Sequence, residues 1–126
     1  MVKNKTYEFT PQDEKIIKVF TQLGMPKNLA KTLMYISQVE ECRSAEIERE
    51  ARLRQPEVSV AMQELQRRGW IKKRDLKKKG KGRPVHIYRL TSSIDDIVKS
   101  FEDKKIKEIN HIKNDLTELK KLILDR

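Results

Sequence analysis

The chain has 126 residues, enough for one domain with an appended element, and 38% of them are charged. No apolar run approaches the roughly 20 residues that cross a bilayer, residues 1–10 lack a secretory apolar stretch, and Cys42 is the only cysteine. These features argue against a membrane span, a disulfide framework and a cysteine-rich zinc site, and they predict a cytoplasmic protein.

The excess positive charge is confined to one short segment. Between Arg67 and Arg89 the chain has eleven basic residues and one acid, Asp75, so this segment carries the whole net charge of +10. Such a concentration is expected to face a polyanion, although a solvated basic loop would have the same composition. The basic residues are Arg67, Arg68, Lys72, Lys73, Arg74, Lys77, Lys78, Lys79, Lys81, Arg83 and Arg89.

Two helices are predicted first. Thr10 is a favourable N-cap for a helix that begins at Pro11 and ends at Gly24. Pro26 begins a second helix, which is expected to run to about Glu40. Their apolar stripes comprise Ile16, Ile17, Val19, Phe20 and Leu23 in the first, and Leu29, Ala30, Leu33, Met34 and Ile36 in the second.

A short third helix and a longer fourth helix follow, separated by a tight turn. Ser44 is expected to open the third helix and to cap it with its side chain, and residues 52–54 break the pattern. Pro56 is expected at the first helical position of a fourth helix that Gly69 closes. The predicted buried face of that helix comprises Val58, Ala61, Met62 and Leu65.

The period then changes from helical to alternating. Residues 70–74 and 85–90 are predicted strands, and the Lys- and Gly-rich residues 77–82 form the turn between them. Two strands around such a turn predict a β-hairpin.

A last helix is predicted from about Ile94 to the C-terminus, with residues 91–93 as its cap. Residues 94–101 carry a broad apolar stripe that we expect to pack on the preceding domain, and Lys105 interrupts the pattern beyond it. The later apolar residues have heptad spacing, which favours pairing with a second helix, although the helix could instead fold back on its own domain. The seam residues are Ile109, Ile112, Leu116, Leu119 and Ile123.

Specific residue stretches resemble a known family. They are residues 53–59, 64–65, 68–71 and 82–91, the last beginning Gly-Arg-Pro. These stretches resemble the winged helix-turn-helix transcriptional regulators of archaea and bacteria, closest to the MarR-like and TrmB-like groups and especially their small archaeal members.

The resemblance implies a mainly α winged helix of α+β type. Three or four helices would form the helix-turn-helix core, with a two-stranded wing and a long C-terminal helix. Residues 10–91 would then be the DNA-binding domain and residues 92–126 the dimerisation helix. The larger TrmB-like proteins carry a C-terminal sugar-binding domain with no counterpart here, so sugar sensing is not implied.

The resemblance also implies roles in binding double-stranded DNA. Residues 55–68 would be the recognition helix in the major groove, where Gln55 or Gln63 could pair with adenine and Val60 could touch a thymine methyl group. Ser59 could contact several bases or a phosphate. Glu57 could accept a hydrogen bond from a cytosine amino group, or it could strengthen the helix start.

Other residues are expected to hold the DNA backbone. Ser44 and the amides of its helix could take a phosphate, and Arg52 and Arg54 flank the turn. Residues 72–89 would form a basic wing in which Arg83 enters a narrow minor groove. The wing lysines are Lys77, Lys78, Lys79 and Lys81.

The leading hypothesis is a homodimeric, sequence-specific transcriptional regulator at the nucleoid. A non-specific architectural chromatin protein and a protein-interaction winged helix in transcription or replication machinery are the alternatives. No phosphate-binding glycine loop or nucleophile motif suggests an enzyme. Cys42, His86 and His111 are too scattered to suggest a metal, no cofactor is expected, and the sequence identifies no small-molecule effector.

Overall fold

The computed structural model describes residues 9–76 and 85–126, and the chain divides into two compact units, Met1–Ser92 and Ser93–Arg126. The elements are α1 (Pro11–Gln22), α2 (Lys27–Ser37), α3 (Ser44–Glu50), α4 (Gln55–Arg67), β1 (Ile71–Leu76), β2 (Val85–Leu90) and α5 (Ile94–Leu124). This confirms the predicted α+β winged helix, with four helices, a two-stranded antiparallel hairpin and a long last helix. None of the helices in the described ranges combines the length and hydropathy that crossing a membrane requires.

A capping box begins α1 as predicted and also ties it to α2. The hydroxyl of Thr10 accepts a hydrogen bond from the backbone N–H of Asp13, and the Asp13 carboxylate accepts one from the backbone N–H of Thr10, both at 3.0 Å. The other carboxylate oxygen of Asp13 accepts from the Gln38 side chain at 3.0 Å. The buried carboxylate therefore joins the start of α1 to the end of α2.

Three expectations about helices in the first unit are wrong. Helix α2 ends at Ser37 instead of near Glu40, because the hydroxyl of Ser37 and the backbone N–H of Gln38 donate to carbonyls of the last turn. Ser44 does not cap α3; it is the first helical residue. Arg43 occupies the extended cap position and its N–H donates to the Glu46 carboxylate at 2.7 Å.

The third wrong expectation is the apolar stripe predicted for α1, which is wider than the face that the helix buries. Ile17 and Phe20 are buried, whereas Val19 is 51% and Leu23 48% exposed. The core instead centres on α2, α3 and α4, where Leu33, Ile36, Ile47, Val58 and Leu65 are almost wholly buried. The buried face predicted for α4 is confirmed, because Val58, Ala61, Met62 and Leu65 are its buried residues.

The turn between α3 and α4 depends on one left-handed residue. Arg52 has φ +57°, and the N–H of Leu53 donates to the Glu48 carbonyl at 3.0 Å, which closes α3 in a Schellman arrangement. Glycine is the usual residue at this position, since a side chain adds strain there. Ala51 and Leu53 are buried on either side, so the turn directs Arg52 to the surface.

The hairpin is anchored to the helices at several points. Its register pairs Ile71 with Leu90 and Leu76 with Val85, and the backbone of Cys42 exchanges two hydrogen bonds with Tyr88, of 3.0 and 2.8 Å. Arg74 donates to both carboxylate oxygens of the neighbouring Glu41 at 2.9 Å. The residues between α2 and α3 thus act as a minimal third strand.

Helix α5 forms the second unit and is continuous. The Ser93 hydroxyl accepts from the N–H of Asp96 at 3.1 Å, which caps the helix where the sequence predicts. Lys105, the residue that interrupts the apolar pattern, lies 5.5 Å from the ring centre of Phe101 and 3.2 Å from the Glu108 carboxylate. A cation–π contact and an ion pair therefore account for a lysine at this seam position.

We predict that Asp13→Ala lowers the free energy of unfolding by about 2 kcal/mol, because it leaves donors of Thr10 and Gln38 without their carboxylate acceptor. Denaturant unfolding measures this. The matched control is Gln12→Ala, an exposed neighbour on α1 that we expect to shift stability by less than about 0.5 kcal/mol. Equal effects of the two substitutions would contradict the linking role of Asp13.

Candidate nucleic-acid interface

The exposed face of α4 carries a line of polar side chains. Gln55, Ser59 and Gln63 follow one another at intervals of four residues, which places them on one side of the helix. Gln55 and Gln63 are exposed, and Ser59 is partly buried. Val60, beside this line, is 67% exposed. Amide, hydroxyl and methyl groups are the side-chain chemistry that reads base edges in a major groove.

Glu57 makes a contact at the helix start, which is one of its two predicted roles. Its carboxylate accepts a hydrogen bond from the backbone N–H of Arg54, the cap residue of α4, at 2.8 Å. The Arg54 side chain is exposed, as is Arg52 across the turn. Ser44 is partly buried at the first position of α3. The two arginines therefore flank the beginning of α4 on the protein surface.

Two of the basic residues counted from the sequence are already paired within α4 and its cap. Arg67 and Arg68 both donate to the Glu64 carboxylate, at 2.9 and 2.7 Å through their Nε atoms. The hydrogen bonds from Arg67 and then Arg68 lower the pKa of Glu64 to about 2. The Arg68 guanidinium also lies 5.1 Å from the ring centre of Trp70. Glu64 lies just before the segment from Arg67 to Arg89, so the net charge of that segment does not include its carboxylate.

The hairpin sets two like charges against each other. Lys72 and Arg89 are directly opposite in the strand register, both are exposed, and neither makes an ion pair with a described residue. Like charges at directly opposed positions destabilise a sheet, so this pair weakens the free hairpin. Arg74 is paired with Glu41, and Asp75 lies 2.7 Å from His86. The described positive charge of the hairpin is thus centred on Lys72, Lys73 and Arg89.

Both ends of the hairpin are tied to the end of α4. Gly69 adopts φ +77°, and the backbone N–H of Trp70 donates to the Leu65 carbonyl at 3.0 Å. The hydroxyl of Thr91 donates to the Gly69 carbonyl at 2.8 Å. Lys72 and Arg89 therefore lie at the helix-proximal end of the hairpin. The predicted contacts of Lys77, Lys78, Lys79, Lys81 and Arg83 lie outside the described residues.

Helix α5 presents the predicted seam to the surface. Ile109, Ile112, Leu116, Leu119 and Ile123 are each between 50% and 56% exposed. Five apolar side chains in heptad spacing and half exposed are typical of a helix whose partner lies on another chain.

Histidines and acids in the described ranges form no group of three or more that could hold a metal ion. His86 faces Asp75 on the hairpin, and His111 lies 3.4 Å from Asp115 on α5. Cys42 is buried, and burial raises the pKa of its thiol to about 12. Its thiol therefore stays protonated at neutral pH.

Comparisons with known proteins agree with this geometry. The model of the MarR family matches residues 23–82, which confirms the resemblance seen in the sequence. No curated protein matches the chain by sequence.

Three solved structures share the fold at low identity. A possible transcriptional regulator from Methanosarcina mazei Go1 has a TM-score of 0.51 at 19% identity, with 78% of this chain and 86% of that one covered. A MarR family transcription regulator has a TM-score of 0.53 at 18% identity, covering 90% and 76%. TrmBL2, described as an archaeal chromatin protein with a novel mode of DNA binding, has a TM-score of 0.55 at 13% identity, covering 88% and 42%. These similarities show the winged-helix fold.

The Glu64 cluster makes a titration prediction. The pKa of the Glu64 carboxyl group in the folded protein is about 2, below the ordinary 4.5. The ionised carboxylate therefore contributes its full stabilisation of the fold above pH 4.5, and this contribution is lost as the pH falls through 2. We expect Arg67→Gln to raise the pKa of Glu64 toward 4.5, as followed by carbon-13 NMR of the carboxyl group. Arg49→Gln, on α3, is the control and should leave this titration in place. An unchanged pKa in the Arg67 variant would contradict the assigned hydrogen bond.

Proposed function

We propose that this chain is a sequence-specific, double-stranded DNA-binding regulator of transcription that acts as a homodimer. Residues 10–91 form the DNA-binding domain and residues 92–126 the dimerisation helix. Residues 55–68 enter the major groove, and the wing of residues 72–89 lies on the DNA backbone and in the adjacent minor groove. The protein has no catalytic role or cofactor in this proposal, and it works at the nucleoid in the cytoplasm.

The exposed face of α4 carries the proposal. From Gln55 to Gln66 this face has no lysine or arginine, and it offers Gln55, Ser59, Val60 and Gln63 instead. A surface that only held phosphates would place cations there, whereas amides, a hydroxyl and an exposed methyl-bearing side chain distinguish bases. This composition favours a specific regulator over the architectural alternative.

Cations around α4 supply the backbone contacts. Arg52 and Arg54 are exposed before the helix, and Lys72 and Arg89 are exposed after it. Ser44 begins α3 and adds a hydroxyl and a helix start for a phosphate. In this proposal the sequence adds five positive charges to the wing, those of Lys77, Lys78, Lys79, Lys81 and Arg83.

The α5 seam supports the homodimer. A second copy of the helix would cover the half-exposed apolar side chains of residues 109–123, which a monomer leaves in water. A dimer brings two recognition helices to one duplex, so its half-sites should lie about one helical turn apart, or a small multiple of it. TrmBL2 is described as binding DNA, which supports DNA as the partner here.

The specificity of α4 is tested with a duplex that the purified protein selects from a random pool. Gln55→Ala combined with Ser59→Ala should weaken binding to that duplex by about 1–3 kcal/mol for each base that the helix no longer reads. Affinity for a scrambled duplex of the same composition should hardly change. Fluorescence anisotropy at fixed salt measures both affinities.

The matched control is Gln12→Ala combined with Gln22→Ala, two exposed amides on α1. Equal weakening on the selected and scrambled duplexes would rule out base reading by Gln55 and Ser59. Equal affinity of the unaltered protein for both duplexes would favour an architectural chromatin protein.

The hairpin pair makes a separate prediction. Lys72→Ala with Arg89→Ala should weaken binding on every duplex and reduce the slope of log affinity against log salt by up to about 2, since each neutralised phosphate contributes about 0.9 to that slope. Lys15→Ala with Lys18→Ala removes the same charge from exposed positions on α1 and should change the slope much less. Equal slopes in the two double variants would show that the hairpin pair does not contact the DNA.

A further inference from the structure

The seam of α5 is bordered by an acidic side and a basic side. We propose that α5 pairs with α5 of a second copy in parallel and in register, and that Glu108, Lys113, Asp115 and Lys120 select this orientation. The inference rests on the homodimer proposed above and adds its geometry.

Heptad positions follow from the spacing of the seam. Ile109, Leu116 and Ile123 occupy the first core position of each heptad, and Ile112 and Leu119 occupy the second. The flank just before each first core position then carries the acids Glu108 and Asp115, and Leu122 at its C-terminal end. The flank just after each second core position carries Lys113 and Lys120. All four charged flanking residues are exposed, so one side of the seam is acidic and the other basic.

A parallel, in-register pair brings these two sides together. In that geometry each acidic flank residue faces the basic flank residue five positions further along the partner helix. Glu108 then faces the partner's Lys113, and Asp115 faces the partner's Lys120. The two-fold symmetry repeats both contacts, so four pairs of opposite charge border the core.

An antiparallel pair gives like charges on each side. Among antiparallel alignments that set four of the five seam residues against seam residues of the partner, the one with the longest overlap is centred on Asn114 and sets Ile112 against the partner's Leu116. Flanks of the same kind then meet, so that Asp115 lies beside the partner's Asp115 and Lys113 beside the partner's Lys113. This alignment sets Lys105 against the partner's Ile123, whereas the parallel register sets it against the partner's Lys105, so this position does not separate the two orientations. The flanking charges therefore oppose the antiparallel pair and support the parallel one.

The contacts within one helix leave these charges available. Glu108 is 3.2 Å from Lys105, and Asp115 is 3.4 Å from His111, both on the exposed surface of α5 where such pairs are weak. Lys113 and Lys120 make no ion pair with any residue in the described ranges. The basic side of the seam is thus free to meet the acidic side of a second copy.

Parallel pairing also suits the connection between the units. Only three residues separate the end of β2, at Leu90, from the start of helix α5, at Ile94. In a parallel pair the two helix starts lie together, so both winged-helix units are tethered at the same end of the paired helices. The antiparallel pair centred on Asn114 tethers them at opposite ends, with the two helix starts roughly 60 Å apart along the axis.

Disulfide trapping tests the orientation. In a Cys42→Ala chain, Ile123→Cys should form an interchain disulfide under mild oxidation, because two such positions face each other in a parallel pair. In the antiparallel alignment these positions lie about 27 Å apart, too far for a disulfide. An equimolar mixture of Lys105→Cys and Ile123→Cys chains, distinguished by mass, should give no 105–123 disulfide.

A charge variant tests the cause. Asp115→Lys should raise the dimer dissociation constant several-fold, measured by sedimentation, because it would face the partner's Lys120. Adding Lys120→Asp to the same chain should restore the association. In the antiparallel alignment Asp115→Lys exchanges one like-charge contact for another and leaves the dissociation constant about the same.

The outcomes separate this inference from the proposed function. A stable dimer that forms the 105–123 disulfide, or one unaffected by Asp115→Lys, would overturn the parallel register and leave the homodimer in place. A chain that sediments as a monomer at micromolar concentration would overturn both. A 123–123 disulfide together with weakening and restoration of association by the charge variants would support the inference.

Discussion

The two backbone hydrogen bonds between Cys42 and Tyr88 hold the hairpin to the helical core. A two-stranded hairpin alone is marginally stable in water, so a third pairing residue matters more here than it would in a large sheet. The same pairing accompanies an extended Arg43, which makes Ser44 the first residue of α3. With the Arg74–Glu41 ion pair beside it, this short bridge determines where the wing charges sit relative to α4.

Several features of the proposed DNA-binding surface disfavour the isolated fold. Arg52 adopts a left-handed conformation that usually belongs to glycine, and Lys72 opposes Arg89 across the sheet. Val60 is largely exposed. Local departures of this kind are expected where a surface serves binding more than stability. The core of α2, α3 and α4 compensates with side chains that are almost wholly buried.

Elements with local chemical signals were predictable from the sequence. Thr10, Pro56 and Ser93 mark helix starts, and the alternating residues 85–90 mark a strand. The left-handed turn at Arg52 has no glycine, the residue that would have indicated this conformation in the sequence. The bridge at Cys42 involves a single residue, so it produces no alternating pattern that predicts a strand. Within the candidate site, the line on α4 followed from helical spacing. The pairing of Arg67 and Arg68 with Glu64 did not, because a count of charges contains no geometry.

The opposition of Lys72 and Arg89 gives salt two contrary effects. In the free protein, dissolved ions screen the repulsion between Lys72 and Arg89 and thereby stabilise the hairpin. In a complex with a polyanion, the same dissolved ions compete with the protein for the phosphates and weaken the binding. The repulsion between Lys72 and Arg89 is therefore strongest at low salt, where in the proposed complex the phosphates of the duplex would take the place of the missing counterions.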